Sequence, residues 1–203
     1  DLKIVFASRN EGKVKEIKNM LEGLSVELIS LNNYANIPEV IEGGESFLQN
    51  ALKKAKLVSG ITSEIVLADD SGLQVDILGG EPGIHSARYA GDNATDEQNN
   101  KKLLSKLKGI SLQNREASFC CVLVLFRPDG RYDYFEGKWR GIIVDEARGD
   151  NGFGYDPIFF VPELKKTAAE LSSRVKNELS HRGQAFAQLK KRLPIIIKEE
   201  TGA

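Results

Sequence analysis

The chain's 203 residues suffice for one domain with a full core, and a formal net charge of −1, from 28 basic and 29 acidic side chains, leaves no basic footprint for nucleic acid. Its apolar share of 41% and charged share of 28% are ordinary for a soluble globular protein, so any phosphate partner must be met locally, not by a global field. No apolar run approaches the ~20 residues of a membrane span, and the opening residues lack a signal peptide's apolar segment and cleavage site; no membrane partner and a cytoplasmic location are expected.

Residues 3–7 read as a short strand that leads through Ser8-Arg9-Asn10-Glu11-Gly12-Lys13 into a helix with Val14, Ile17, Met20 and Leu21 at helical spacing. Asn10 or Ser8 caps that helix. A helix start flanked by Ser, Asn and Lys is an anion site, because its N–H groups point outward, its dipole end is positive and Lys13 adds a full charge. The Gly and Lys spacing of a P-loop is absent, and the same residues also make an ordinary cap beside a solvated lysine. Residues 26–30 read as a second strand, followed by an irregular acidic stretch in which Glu42 precedes two glycines. A carboxylate on such a flexed loop can swing to a hard cation. Ser46 opens a helix with Phe47, Leu48, Ala51, Leu52, Ala55 and Val58 on one face and Lys54 as a candidate phosphate contact.

In Val66-Leu67-Ala68-Asp69-Asp70-Ser71-Gly72-Leu73 an apolar run ends in two carboxylates and a glycine, which predicts a buried strand delivering acid to a turn at the sheet's edge. Vicinal side chains diverge in extended backbone, so one acid suits a metal or a proton while its neighbour supports it; a plain polar turn is the alternative. Residues 73–78 read as a further half-buried strand, and the glycines and Pro82 of residues 79–88 mark a specified turn, with His85 a polar surface residue. Thr95 and Gln98 make a capping box that opens a helix to about Lys108, burying Leu103, Leu104 and Leu107.

Residues 115–127 are apolar on both alternating sets and predict a central strand covered on both faces, with Cys120 and Cys121 as reduced core residues. Pro128-Asp129-Gly130 turns it into a second, more polar strand over residues 132–144, in which Trp139 packs. The stretch Gly149-Asp150-Asn151-Gly152-Phe153-Gly154-Tyr155-Asp156-Pro157 suits aromatic stacking on a planar ligand, or a structural loop anchored by its aromatics. Thr167 and Glu170 cap a short turn, Lys176 follows in a polar connection, and Ser180-His181-Arg182-Gly183 starts a final helix that Pro194 stops. His181 and Arg182 thus stand at another positive helix start, where a donor fork favours an anion or a keto oxygen. Together these stretches describe a nucleoside triphosphate pocket with a divalent metal, in an α/β fold of one domain spanning residues 1–203.

The chain resembles the non-canonical purine nucleoside triphosphate pyrophosphatases, also called inosine or xanthosine triphosphate pyrophosphatases. The likeness rests on six ordered stretches: Ser8 to Lys13, Glu42 with Phe47 and Asn50-Ala51, Leu67 to Leu73, Gly79 to Ile84 with Ser86-Ala87-Arg88, Gly152 to Pro157, and Ser180-His181-Arg182. The resemblance implies a mixed twisted sheet flanked by helices, in two lobes with an active-site cleft between them, and a homodimer. It implies hydrolysis of ITP, dITP or XTP to the monophosphate and pyrophosphate with Mg²⁺, for which Mn²⁺ substitutes. By matching position Asp70 is the base and a metal ligand, Glu42 a second metal carboxylate and Asp69 a support. Ser8, Asn10, Lys13 and Lys54 fall on the phosphate side, Arg9, Glu11 and Gly12 of the same stretch are substrate-binding, and Ser71, Phe153, Gly154, Tyr155, Asp156, Lys176, His181 and Arg182 fall on the base and sugar side. Gln49 stands where many relatives carry Glu, with Glu45 near enough to substitute.

The chemistry agrees with that assignment. An α-phosphorus shielded by anionic oxygens needs cations before a nucleophile matters, and an Asp70 ionised beside a dication is a weak base that leaves the acidifying of water to the metal. A fixed donor such as Arg182 pairs with the oxygen at C6 of hypoxanthine or xanthine and meets an amino group on adenine. Two other readings keep the same residues: a metal-dependent phosphatase or pyrophosphatase acting on other nucleotides, and a nucleotide sensor without catalysis.

Overall fold

A computed structural model describes residues 1–40 and 43–202. Among them, seven strands form one mixed sheet: β1 (Leu2–Phe6), β2 (Val26–Ser30), β3 (Ile65–Val75), β4 (Glu116–Phe126), β5 (Tyr132–Ile143), β6 (Phe159–Val161) and β7 (Lys166–Thr167). They lie in the order β2-β1-β3-β4-β5-β6-β7 and are flanked by α1 (Glu11–Met20), α2 (Phe47–Thr62), α3 (Asp96–Lys106), α4 (Ser173–Leu179) and α5 (His181–Thr201). This is the α/β class expected from strands alternating with helices. β1 pairs in parallel with β2 and β3, in register Ile4 to Leu28 and Ile4 to Ile65, whereas β5, β6 and β7 pair antiparallel. No helix among the described residues is long and apolar enough to cross a membrane.

The helix starts form where short polar side chains stand ready to take up unpaired N–H groups. Asn10 Oδ1 accepts from Lys13 N at 3.1 Å, Ser46 Oγ from Gln49 N at 3.1 Å, and Thr95 with Gln98 closes the expected capping box. β4 is buried along almost its whole length and lies between β3 and β5, as its unbroken apolar run requires. Cys121 is buried in it, and the half-buried Cys120 places its thiol 3.3 Å from Gln74 Oε1.

Three expectations are corrected. Asp69 and Asp70 do not sit in a turn: β3 runs unbroken through them and takes in Leu73 to Val75, which sequence patterning assigned to a separate strand. Local side-chain bonding of Asp-Asp-Ser-Gly favours a turn, but β4, also 11 residues long, lies beside β3 and extends the ladder beyond the end of β1. The last pairing of β3 with β1 is Leu67 with Phe6, so the two acids lie past the tip of β1 while still in strand geometry. Lys176 lies on α4, capped by Ser172, not in a connection.

The third correction is at Pro194, which α5 passes through to end at Thr201. Phe186, Leu189, Leu193 and Ile196 continue one buried stripe across the proline, and Glu200 beyond it meets the buried Arg127 at 3.0 Å and Arg131 at 3.1 Å. Those contacts outweigh the lost backbone donor. Pro194 itself is exposed, so Pro194→Ala restores one donor without touching the packing. An increase in stability of about 1 kcal/mol is expected, partly offset by a freer unfolded chain, and urea midpoints check it. A loss of stability would show that the packing needs the helix as proline shapes it.

The chain divides into two compact units. The first is Asp1–Asp70, Val122–Glu136 and Ala185–Ala203; the second is Ser71–Cys121 and Gly137–Gln184. The core of the first includes Val5, Phe6, Ile17, Ala51, Ala55, Val58 and Phe186. That of the second is built on Leu73, Val75, Leu103, Leu107, Phe119, Trp139, Ile143 and Phe159.

Candidate functional site

In the first unit, β1 delivers the chain to the start of α1, where Ser8 Oγ accepts from Asn10 N at 3.1 Å and Asn10 caps the helix through Lys13 N. Lys13 then reaches back to the sheet. Its Nζ lies 3.2 Å from Asp69 Oδ2, and Lys54 Nζ, from α2, donates to the Asp69 carbonyl at 3.1 Å. Two ammonium groups from different helices therefore meet β3 at one residue. The Asp69 side chain is 2% exposed and that of Lys13 24%, so the lysine is held by a buried carboxylate and still reaches water.

Asp70, the next residue, is half-buried. In extended backbone its side chain leaves the strand on the opposite side from that of Asp69. Glu42, expected as the second metal carboxylate, lies outside the described residues. Glu45 and Gln49 are exposed and tied to each other, Glu45 N donating to Gln49 Oε1 at 2.7 Å. Among the described residues no group of three or more His, Cys, Asp or Glu could hold a metal ion. Mg²⁺ needs no such group, because it takes one or two carboxylates and completes its shell with phosphate oxygens and water, and the Asp70 carboxylate is a hard-oxygen donor of that kind.

Arg9 and Glu11, expected among the substrate-binding residues, bond within the protein. The Arg9 guanidinium donates to the carbonyls of Leu31 at 3.3 Å and Ile37 at 3.2 Å, and Glu11 accepts from Asn32 Nδ2. Both side chains tie the segment after β2 to the start of α1. A guanidinium can satisfy two carbonyls at once through its fork, and the exposed arginine does so here.

In the second unit the loop 149–157 separates its two aromatics. Phe153 is 49% exposed, while Tyr155 is buried and donates its phenol to the Ser86 carbonyl at 2.6 Å. Burial pushes that phenol well above the usual tyrosine range, so it stays a donor. The ring of Tyr155 anchors the loop, and only that of Phe153 is offered outward. Asp156 is the loop's hub: its Oδ2 accepts from Phe153 N at 3.1 Å and from Lys176 Nζ at 2.5 Å. Gly152, at φ +72°, is required there, since a Cβ would lie 2.1 Å from that same Asp156 oxygen.

Around Phe153 the cations gather. Lys176 Nζ lies 4.7 Å from its ring centroid and the Arg182 guanidinium carbon 5.6 Å, within cation–π range. Arg182 is 4% exposed and its Nη2 lies 3.4 Å from Ser71 Oγ. His181 differs from the expected outward donor: its ring is buried and stacks on Phe119, with centroids 4.9 Å apart and planes at 15°. Apolar aromatics close around the first turn of α5 and draw the imidazole in with them. Ser71, Phe153, Asp156, Lys176 and Arg182 thus form one cluster of donors, a carboxylate and a ring. Sequence reasoning missed Asp96 and Asn100, which hold Gly154 from α3, because nothing in one dimension links them to a loop more than fifty residues away.

The sheet and its flanking helices make this an α/β protein. The Ham1 family model matches residues 4–192, and the chain belongs to the Ham1 family. It is 50% identical over 191 residues to the dITP/XTP pyrophosphatase of Geobacter sulfurreducens, covering 94% of this chain and 96% of that one. It is 47% identical over 202 residues to the dITP/XTP pyrophosphatase of Clostridium perfringens, covering 97% and 99%. Among solved structures, a HAM1 protein from Coxiella burnetii superposes with a TM-score of 0.90 at 42% identity, covering 96% of this chain and 99% of that one. The Staphylococcus aureus Ham1 protein superposes with a TM-score of 0.87 at 43% identity, covering 95% and 98%.

Proposed function

We propose that this chain hydrolyses purine nucleoside triphosphates carrying an oxygen at C6, namely ITP, dITP and XTP, to the monophosphate and pyrophosphate, and so removes them from the nucleotide pool. The observation that carries this reading is the meeting of Lys13 and Lys54 at Asp69, one residue before Asp70. Positive charge for a triphosphate, brought by α1 and α2, then reaches β3 one residue before the carboxylate that takes a water proton. The names of the relatives support the same substrates. Mg²⁺, or Mn²⁺ in its place, is the proposed cofactor, and a cytoplasmic homodimer the proposed state.

Asp70 and Glu42 would hold the metal, which when bound offsets phosphate charge and acidifies water. Lys13, Lys54 and the N–H groups at the start of α1 take the phosphate oxygens and stabilise the charge that develops as the pyrophosphate leaves. Asp70 accepts the proton of the water whose oxygen attacks the α-phosphorus; the bond to the bridging oxygen breaks and that oxygen departs with the pyrophosphate. Phe153 stacks on the purine, and the buried Arg182 donates to its C6 oxygen. Adenine offers an amino group there, and leaving two donors face to face costs about 1–3 kcal/mol.

A panel of nucleoside triphosphates assayed for product tests the reading. ITP, dITP and XTP are expected to give pyrophosphate and monophosphate, with kcat/KM for ATP lower by about thirtyfold, the equivalent of ~2 kcal/mol. Orthophosphate in the first turnover would identify a phosphatase instead, and tight binding without any product a sensor.

A further inference from the structure

Phe153 lies between two glycines in left-handed conformation, Gly152 at φ +72° and Gly154 at φ +62°, and within the loop its backbone is tied only to Asp156, which accepts from Phe153 N at 3.1 Å and donates its own N–H to the Phe153 carbonyl at 3.2 Å. What holds Gly154 comes from α3. Its N–H donates to Asp96 Oδ2 at 2.9 Å, and its carbonyl accepts from Asn100 Nδ2 at 3.2 Å. Asp96 and Asn100 are four apart and share one helix face, so a single residue is gripped through the peptide groups on both its sides.

The helix that grips is itself immobile. Asn99, on another face, is 3% exposed and binds Ala90 N at 2.8 Å and the Ala87 carbonyl at 3.1 Å. The capping box secures the first turn, and Leu103 and Leu107 are wholly buried. Between helix and loop runs a groove of about 930 Å³ with Leu104, Pro157 and Ile158 among its walls, so side-chain packing does not fill this gap. The polar clamp spans it.

We propose that Asp96 and Asn100 are positioning residues for purine recognition, fixing the height at which the loop presents Phe153. This rests on the triphosphate pyrophosphatase reading. Neither residue touches the substrate; each acts through Gly154. Removing either bond lets the loop sample positions in which the ring no longer covers the base, and the cost falls on binding.

Asn100→Asp keeps the shape and replaces the donor with an acceptor facing the Gly154 carbonyl. KM for ITP is expected to rise about tenfold with kcat within twofold, and calorimetric affinity for IMP to fall likewise, while competition by inorganic tripolyphosphate, which has no base, stays unchanged. Asp96→Ala should act similarly, and Asp96→Asn, whose amide oxygen still accepts, should restore near-normal KM. Amide hydrogen exchange at Gly154, which needs no turnover, is expected to quicken about tenfold in Asp96→Ala. Unchanged exchange and unchanged KM would overturn the proposal, as would equal losses in kcat and tripolyphosphate competition. If the native chain released no pyrophosphate from ITP, dITP or XTP while Gly154 exchange still quickened, the functional reading would fall and the clamp on the loop would stand.

Discussion

Asp70→Asn should lower pyrophosphate release from ITP about a thousandfold while equilibrium binding of ITP changes by no more than about threefold. The amide keeps the size and the hydrogen-bonding oxygen of the carboxylate but accepts no proton at neutral pH. The lysines that meet at Asp69 are untouched, as are Ser71, Phe153 and Arg182 of the second unit, so the contacts expected to supply most of the affinity remain. A thousandfold loss corresponds to about 4 kcal/mol of barrier, within what a positioned base and a metal carboxylate together contribute. Single-turnover product release beside calorimetry separates the outcomes. Unchanged release would remove Asp70 from the chemistry, and affinity falling in step with release would make it a substrate holder alone.

Lys13→Met should reduce both activity and stability, and the two effects should come apart in a double variant. The lysine neutralises Asp69, whose side chain is 2% exposed, so removing it leaves a buried carboxylate short of a counter-charge. Breaking a buried pair costs about 3–5 kcal/mol; with Lys13 itself 24% exposed, about 2 kcal/mol is expected here. Activity should fall about a hundredfold or more in kcat/KM, because a cation facing developing phosphate charge is lost. Lys13→Met with Asp69→Asn should recover most of the stability and none of the activity, as denaturant midpoints and pyrophosphate assays would show. Recovery of activity in the double variant would mean that Lys13 serves only to neutralise Asp69.

The placing of Arg9, Glu11, Tyr155 and His181 shows where reading residue types stops. Each belongs to a stretch singled out from the sequence, and each side chain meets a partner within the protein, Arg9 and Glu11 at the surface and Tyr155 and His181 buried: the carbonyls of Leu31 and Ile37, Asn32, the Ser86 carbonyl, and the ring of Phe119. A motif shows that a segment is specialised, not which of its side chains face the ligand and which hold the segment still. The partners within reach decide that, and they depend on what other parts of the chain bring near.

From the amino-acid order alone came the α/β alternation, the caps at Asn10, Ser46 and Thr95, the doubly covered β4 and the stretches that carry chemistry. Those features are encoded by periodicity and by bonds spanning three or four residues, which local physics dictates. The tertiary structure alone decided that β3 continues through Asp69 and Asp70, that α5 passes Pro194, that two lysines from separate helices meet at Asp69, and that Asp96 and Asn100 hold Gly154. In each case a contact between residues distant in sequence outweighs a local preference or creates a grouping with no local trace, and the energy of such contacts exists only once the chain has folded.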